Sequence, residues 1–289
     1  MKFWLTLGLA TLPIFSVPAQ VTVSVTLDQD EFLPSETLPA VVHITNLSGQ
    51  TLHLGADPDW LKFDVEAEDN FIVVKTANPP VQGEFKLDSS EVATKRVDLE
   101  PYFDLKRPGH YRIIATVHIK DWNTDITSAP KGFDIINGAK LWSQVFGVPL
   151  PAGVSNRPPE VRNYTLEEAN YLHSQLRMYV QVSDESGATI FKVLAIGPMV
   201  SFGRPEAQLD RANNLHVLHQ SGASSFLYSV INPDGDISRQ ETYDYINVRP
   251  RLRVGDEGSI TVYGGVRRVK PQPLPSVKSP DEISAPTKP

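Results

Sequence analysis

The 289-residue sequence contains no cysteine. This absence excludes disulfide bonds, thiolate nucleophiles, cysteine-ligated zinc and a lipid anchor on an N-terminal cysteine. Small exported domains often depend on disulfides, but a chain of this length can bury cores large enough to replace them. Its apolar fraction is 40%, which is too high for a largely disordered chain and sufficient for two ordinary domains.

The sequence also lacks a basic excess and a long apolar run. Its formal net charge is −7, so we expect no nucleic-acid partner, because nucleic-acid binding requires a basic surface. The apolar stretch from Phe3 to Phe15 is shorter than the roughly 20 residues of a membrane-spanning helix. The sequence therefore predicts no transmembrane anchor.

Sequence motifs of common enzymes are absent as well. There is no Gly-x-Ser-x-Gly elbow, no His-Glu-x-x-His pair, no P-loop and no dinucleotide fingerprint. We therefore predict that the protein is not an enzyme and uses no cofactor.

The first 19 residues have the three parts of a secretory signal. Lys2 supplies the positive charge, Phe3 to Phe15 form the apolar region, and Val17-Pro18-Ala19 offers small residues for cleavage. We predict a signal peptide at residues 1–19 and an exported bacterial protein that is periplasmic or secreted.

Residues 20–138 alternate between apolar and polar side chains over short segments. Val21 to Leu27 and Tyr111 to Ile119 show the alternation most clearly, and it is typical of half-buried strands. The further segments are Ala40–Thr45, Thr51–Leu54, Leu61–Val65, Phe71–Val74, Gly83–Leu87 and Thr94–Leu99. This pattern predicts an all-β fold, beginning with a sandwich of two antiparallel sheets.

The residues that enter one of these strands carry a resemblance. Pro108-Gly109-His110-Tyr111 forms a Pro-Gly-x-Tyr turn before a late strand, and this is similar to immunoglobulin-like domains of bacterial surface proteins. The resemblance implies an immunoglobulin-like β-sandwich over residues 20–138. Antibody-type members have a cysteine two positions after the tyrosine, where this chain has Ile113.

Three later segments interrupt the strand pattern. Residues 139–163 contain four prolines and are predicted to be a Pro-rich linker. Thr165-Leu166-Glu167-Glu168 has the spacing of a capping box and predicts a short helix from Leu166 to His173. Residues 269–289 are rich in proline and serine and predict a disordered tail.

Residues 164–268 contain a weak internal repeat. Val180-Gln181-Val182 is echoed 48 residues later by Tyr228-Ser229-Val230, and Arg204-Pro205 is echoed 45 residues later by Arg249-Pro250. Each unit has the length of one four-stranded propeller blade. We predict a second small antiparallel β-domain made of two blade-like four-stranded units.

The segment Ser183–Ile190 also resembles the Asp-box of sialidase-type propellers. Glu185 stands where that motif has aspartate, and Ile190 where it has an aromatic residue. Two units cannot close a ring, so we expect them to pack against each other. The alternative is that oligomerisation completes a ring.

Two groups of residues are candidate contacts for a ligand or partner. Asp57 and Asp59 could present a carboxylate pair beside Trp60 to a sugar or cation, unless Trp60 only anchors the following strand. Arg249, Arg251 and Arg253 alternate along a strand and could bind carboxylates or a polyanion. They could instead be a solvated face, or dock on residues 20–138, which hold 10 basic and 19 acidic residues.

Other polar clusters have simpler interpretations. His216 and His219 are three apart on a predicted strand, so they point to opposite faces and cannot share one metal ion. Residues 121–125 and 232–236 align oxygens as calcium loops do, but both are typical of hairpin connections. We expect no metal site.

Taken together, these features predict an exported, non-catalytic binding protein whose partner is an envelope protein or a glycan. A degenerate or oligomer-dependent, sialidase-like enzyme is the first alternative, since the repeat resembles propeller blades. A secreted hydrolase inhibitor is the second.

Overall fold

The computed structural model describes residues 21–69, 71–148, 160–172 and 174–269. These residues are nearly all β, which confirms the predicted fold class. The predicted signal peptide at residues 1–19 lies outside the described residues. So does the predicted tail, apart from Val269.

The N-terminal part has strands whose inward residues are apolar and alternate with exposed polar ones, as in β1, Val21–Leu27. The others are β2 (Glu31–Phe32), β3 (Pro39–Asn46), β4 (Leu52–Leu54), β5 (Leu61–Ala67), β6 (Phe85–Leu87), β7 (Val92–Asp98), β8 (Gly109–Ile119), β9 (Thr124–Thr127) and β10 (Lys131–Ile135). Short 3₁₀ helices occupy Glu100–Tyr102 and Lys120–Trp122.

Two sheets of this part face each other across one core. The first has the order β1-β3-β7, and the second has the order β2-β10-β8-β5 with β9 paired to β8. All pairs are antiparallel except β2 with β10, which is parallel, and β4 and β6 form a separate antiparallel pair. Val42, Phe63 and Ile113 lie at the centre of the shared core and are fully buried.

The turn before β8 is closed by a tyrosine. Tyr111 is buried beside the stacked ring of Phe133, and its hydroxyl donates to the carbonyl of Arg107 at 2.6 Å. This bond ties the start of β8 to the preceding turn.

The C-terminal part consists of two four-stranded antiparallel meanders and a hairpin. Its strands are β11 (Ala139–Gly147), β12 (Val161–Leu172), β13 (Gln175–Asp184), β14 (Ile190–Pro198), β15 (Glu206–Leu209), β16 (Leu215–Gln220), β17 (Ser225–Ile231), β18 (Ile237–Asp244), β19 (Arg251–Val254), β20 (Ile260–Tyr263) and β21 (Val266–Arg267). We name β11-β12-β13-β14 the proximal sheet, β15-β16-β17-β18-β21 the distal sheet, and β19-β20 the terminal hairpin.

Three apolar layers join these elements into a stack. Leu33 of the N-terminal part packs with Ala169, Tyr179 and Val193 on one face of the proximal sheet. The other face of that sheet packs on the distal sheet through side chains such as Leu166, Val180, Leu215 and Val217. Beyond it, Leu252 and Val262 of the terminal hairpin cover Leu218, Phe226 and Tyr228. The central strands of both sheets, β12 with β13 and β16 with β17, are therefore covered on both faces.

The alternation of residues within the strands explains this double burial. In β16 the first five residues, Leu215 to His219, are all buried, so neither face is solvated. Odd-numbered positions face the proximal sheet and even-numbered ones face the terminal hairpin. A strand that is apolar on both faces is stable only between two other layers.

The structure differs from the sequence prediction at residues 139–173. Ala139–Gly147 is a strand where a linker was predicted, because Trp142 and Phe146 pack on the proximal sheet. The predicted helix from Leu166 to His173 is wrong, because Val161–Leu172 is strand β12, paired on one side with β11 and on the other with β13. Neighbouring strands satisfy the backbone groups that the predicted cap would have satisfied.

Another predicted strand is also wrong. Phe71–Val74 is irregular, and only Lys75 next to it forms a bridge, with Phe103. Ile72 and Val74 are exposed, and only Val73 between them packs on the core. Among the described residues, no helix has the length and apolarity that a membrane span would need.

Replacing Tyr111 with Phe tests the role of the turn. The variant loses one hydrogen bond and leaves the Arg107 carbonyl without it, so we expect the free energy of unfolding to fall by about 1–2 kcal/mol. Urea denaturation measures this change. Tyr245→Phe is the control, since Tyr245 is half exposed, and an equal loss in both variants would contradict the assignment.

Candidate functional site

A tight turn of the N-terminal part reaches the proximal sheet. In Leu33-Pro34-Ser35-Glu36 the Glu36 amide donates to the Leu33 carbonyl at 3.1 Å, and Ser35 has φ 61°. Proline and a left-handed residue at the two central positions are typical of such turns. The turn lays Glu36 beside Val193 of β14 in a parallel bridge. We name this contact the junction.

A buried polar chain crosses the junction. Gln29 donates through Nε2 to Glu36 Oε1 at 2.9 Å, and Arg177 of β13 donates through Nη1 to Gln29 Oε1 at 2.8 Å. The Leu33 amide donates to Glu36 Oε2 at 2.8 Å. Arg177 also stacks on the ring of Tyr171, 3.6 Å from its centroid. Gln29 therefore links a carboxyl of one part to a guanidinium of the other.

Burial changes the acidity of this carboxyl. Glu36 is 7% exposed, and desolvation raises its pKa to about 7, although the bonds from Leu33 and Gln29 and the charge of Arg177 act in the other direction. The hydroxyl of Tyr179 is buried in the same region, and burial together with the charge of Glu36 raises its pKa. The junction thus holds a carboxyl that titrates near neutral pH.

The junction borders a cavity of ≈ 420 Å³ that is lined from both parts. Asp28 and Thr37 contribute from the N-terminal side, and Lys192 and Leu194 from β14. Lys192 pairs with Asp236 of the distal sheet, so its charge is already compensated. The charged groups that line this cavity are therefore bonded to other groups of the protein, which favours a structural role for this region.

The predicted acidic contact is only partly assembled. Asp57 and Asp59 line a cavity of ≈ 280 Å³ together with His118 and Asp125. Trp60 does not join them, because it is 2% exposed and its indole donates into the core, to the carbonyl of Val81 at 2.8 Å. The structure therefore places Trp60 as the anchor of β5, which was the second interpretation of this cluster, and its buried ring does not face the cavity of Asp57 and Asp59.

The carboxylates of this cavity have partners of their own. Asp125 lies 2.7 Å from His118 Nδ1, Asn78 donates to Asp59 at 3.1 Å, and Lys120 lies 3.6 Å from Asp57. Within the described ranges, no group of three or more His, Asp or Glu side chains is placed to hold a metal ion.

The arginine row lies at the far end of the stack. Arg251 and Arg253 are exposed on the outer face of β19, and the register places them opposite Tyr263 and Thr261 of β20. We name Arg251, Arg253, Thr261 and Tyr263 the terminal face. Arg249 lies outside the strand, over the ring of Phe226 at 5.1 Å, so the predicted row of three is shortened to two.

The contacts of these arginines are within the C-terminal part. Arg251 donates to Glu206 of β15 at 3.1 Å, and Arg253 lies over the ring of Tyr263 at 5.8 Å. None of the contacts found among the described residues joins the row to the acidic N-terminal part, as one alternative suggested. The N-terminal part is held by the junction instead.

A buried chain of polar groups within the distal sheet escaped the sequence analysis. His216 lies 2.7 Å from the Tyr228 hydroxyl through Nδ1 and 3.2 Å from Asp210 through Nε2. His219 points to the opposite face, where its Nε2 lies 3.1 Å from the Pro198 carbonyl and burial lowers its pKa to about 4. The two histidines thus lie on opposite faces, as alternation along the strand predicts.

Sequence gave little signal for the junction either. Glu36 lies among apolar residues and prolines. This composition indicates a turn, but it does not indicate that the carboxyl group is buried. Arg177 and Gln29 are 148 positions apart, and only the packing of the two parts brings them together.

Comparisons with known proteins give little further information. No protein-family model matches the chain, and no curated protein matches it. Among solved structures, it is similar to Spo0M, a sporulation control protein from Bacillus subtilis, over 62% of this chain and 90% of that one. The identity is 10% and the TM-score is 0.32, so this similarity carries no argument about fold or function.

Replacing Glu36 with Gln tests the junction through pH. The raised pKa means that the folded protein binds a proton more tightly than the unfolded chain, so the stability from this group is complete below pH 4.5. This contribution to stability is lost as pH rises from 4.5 through about 7. The difference between the two pKa values corresponds to about 3 kcal/mol in the free energy of unfolding. We expect this decline in the free energy of unfolding between pH 4.5 and 8 to disappear in Glu36→Gln.

The exposed Glu84 provides the matched control, because Glu84→Gln makes the same chemical change outside the junction. Denaturation by urea at several pH values measures all three proteins. If wild type and Glu36→Gln have parallel pH profiles, Glu36 does not titrate in this range.

Proposed function

We propose that the protein is an exported, non-catalytic binding protein whose terminal face binds a partner in the cell envelope. The observation that carries this proposal is the stack. The central strands of the proximal and distal sheets are covered on both faces, whereas the terminal hairpin is covered only on its inner face. Its outer face carries arginine and tyrosine, residue types that are enriched in protein interfaces.

Exposed apolar residues in the C-terminal segment that contains the terminal hairpin support the same proposal. Between residues 245 and 269, several large side chains are exposed by 46% or more, and exposed apolar surface commonly marks an interaction site. They are Tyr245, Ile246, Val248, Val254, Tyr263, Val266 and Val269.

We propose an immunoglobulin-like identity for the N-terminal part on three observations. Strands β1, β3 and β7 form one sheet while β2, β10, β8 and β5 form the other, and β2 runs parallel to β10. Tyr111 hydrogen-bonds to a carbonyl four residues earlier, as a tyrosine corner does. Trp60 is buried next to β5, where such domains place a core tryptophan.

We propose that the C-terminal part is built of blade-like units. The proximal sheet and strands β15-β16-β17-β18 of the distal sheet are each a four-stranded meander, and equivalent side chains stabilise their third turns. Asp184 accepts from the amides of Ala188 and Thr189, and Asn232, which stands 48 residues later, accepts from those of Asp234 and Asp236. The terminal hairpin then corresponds to the first two strands of a third unit.

A sialidase-like enzyme is the second candidate, favoured by one cluster. The Tyr243 hydroxyl donates to Glu241 at 2.9 Å, and Arg239 and Arg267 bind the same carboxylate. A tyrosine beside a carboxylate is the nucleophile of sialidases. Here the arginines help to lower the pKa of Glu241, and burial and Glu241 raise that of Tyr243 to about 12. Both shifts oppose activation of the hydroxyl, so we place binding first.

Affinity capture from the native envelope tests the proposal. Wild type and the double variant Arg251→Glu/Arg253→Glu are used as baits, and Lys62→Glu/Lys86→Glu is the control, because it changes two exposed lysines of the N-terminal part by the same charge. We expect one set of molecules to be retained by wild type and the control and lost from the arginine variant.

Retention that is the same for all three baits would contradict a role for the terminal face. Hydrolysis of a fluorogenic sialoside by wild type, abolished by Tyr243→Phe, would replace the binding proposal with the enzymatic one.

A further inference from the structure

The terminal hairpin has one closed edge and one open edge. The amide of Leu252 in β19 donates to Glu206 Oε2 at 2.7 Å, and Arg251 binds the other oxygen of the same carboxylate. Glu206 therefore closes the outer edge of β19. In the described part of the chain, β20 pairs with β19 and with no other strand.

The register shows which backbone groups face the open edge. Leu252 points its amide away from β20, and its antiparallel partner is Val262. In an antiparallel pair, two opposed residues point their amides and carbonyls either both inward or both outward. The amide and carbonyl of Val262 therefore point away from β19, toward the open edge.

The chain turns away where a third strand would begin. Gly264 and Gly265 follow β20 with φ 80° and 66°, and they lead into β21, which pairs with β18 of the distal sheet. A Cβ on Gly264 would lie 2.7 Å from the carbonyl of Arg249, so this path requires glycine. In each of the two preceding units, a third strand pairs with the second at this position, and a fourth strand pairs with the third.

The surface next to the open edge carries an excess of positive charge. Arg239 and Arg267 share Glu241, and Arg268 pairs with Asp244. Arg249 and Arg253 lie over aromatic rings rather than against carboxylates. The acidic residue Asp256 lies in the turn at the other end of the hairpin.

We propose that the open edge of β20 accepts an acidic β-strand from a partner protein, which extends the terminal hairpin toward the four strands of the other units. This inference rests on the proposed function and names the partner's chemistry. Main-chain bonds to Val262 supply the pairing, as in other complexes formed by strand addition. Side chains on the outer face of the added strand lie beside Thr261 and Tyr263. Carboxylates there come within reach of Arg253, whose guanidinium lies over the Tyr263 ring.

Other occupants fit less well. Residues 270–289 contain six prolines, which have no amide to donate to a strand. A second copy joined through β20 would add its own arginines to a surface that already has an excess of positive charge.

Fluorescence anisotropy with a defined probe tests the proposal. The probe is a labelled eight-residue peptide of alternating valine and glutamate, titrated with the full chain at low ionic strength. We expect saturable binding that weakens by about tenfold or more in Arg251→Glu/Arg253→Glu. Lys62→Glu/Lys86→Glu is the matched control and is expected to bind within about threefold of wild type.

Two further probes separate strand pairing from charge alone. The same peptide N-methylated at two consecutive central residues keeps its charge but cannot pair along either edge, and we expect it not to bind. A peptide of alternating valine and lysine is also expected not to bind. Binding of the N-methylated peptide with equal affinity would overturn strand addition.

Two other results would also overturn the proposal. The first is displacement of the peptide by a sulfated polysaccharide together with equal binding of the N-methylated form, because the site would then accept any polyanion. The second is self-association in light scattering that depends on Val262, because a second copy would then be the occupant. If envelope capture depends on the arginines but the peptide does not bind, the proposed binding function is retained and the proposal of strand addition is wrong.

Discussion

The C-terminal part depends on one constraint: a sheet that is apolar on both faces must be covered on both. Strand β16 is the clearest case, since Leu215 and Val217 face the proximal sheet while Leu218 faces the terminal hairpin. No single pair of sheets can bury such a strand, so the layers must continue until a polar face ends them. The junction ends the stack at one end, and the terminal face ends it at the other. We propose that a partner binds at this exposed end.

The junction explains why the N-terminal part has a defined position. Leu33 contributes an apolar contact to the proximal sheet, and the chain from Glu36 through Gln29 to Arg177 adds directional bonds beside it. Such buried polar groups stabilise only when all of them are satisfied, so the contact is specific to one arrangement. A carboxyl with a pKa of about 7 also makes the stability of this contact depend on pH in the neutral range.

The sequence predicted those features that depend on local alternation. The all-β class and most strands of the N-terminal part follow from period-two patterns such as Val21–Leu27. The prediction failed where long-range pairing overrides local signals. Thr165 and Glu168 have the spacing of a helix cap, yet β11 and β13 on either side fix these residues as a strand. Trp60 stands beside two aspartates in the sequence, but its side chain turns into the core. Arg177 meets Gln29 only because two parts dock, and no local pattern records that contact.

The central claim is that the stack ends in a hairpin with one closed and one open edge. Residue-resolved amide hydrogen exchange on the full chain tests it most directly, because pairing within β20 determines which amides are protected. We expect slow exchange of the Leu218 and Tyr228 amides, which lie in the covered strands of the distal sheet. We also expect alternation in β20, with Thr261 and Tyr263 slower than Val262, whose amide faces the open edge. Equal protection of the Thr261, Val262 and Tyr263 amides in the absence of a partner would contradict the open edge.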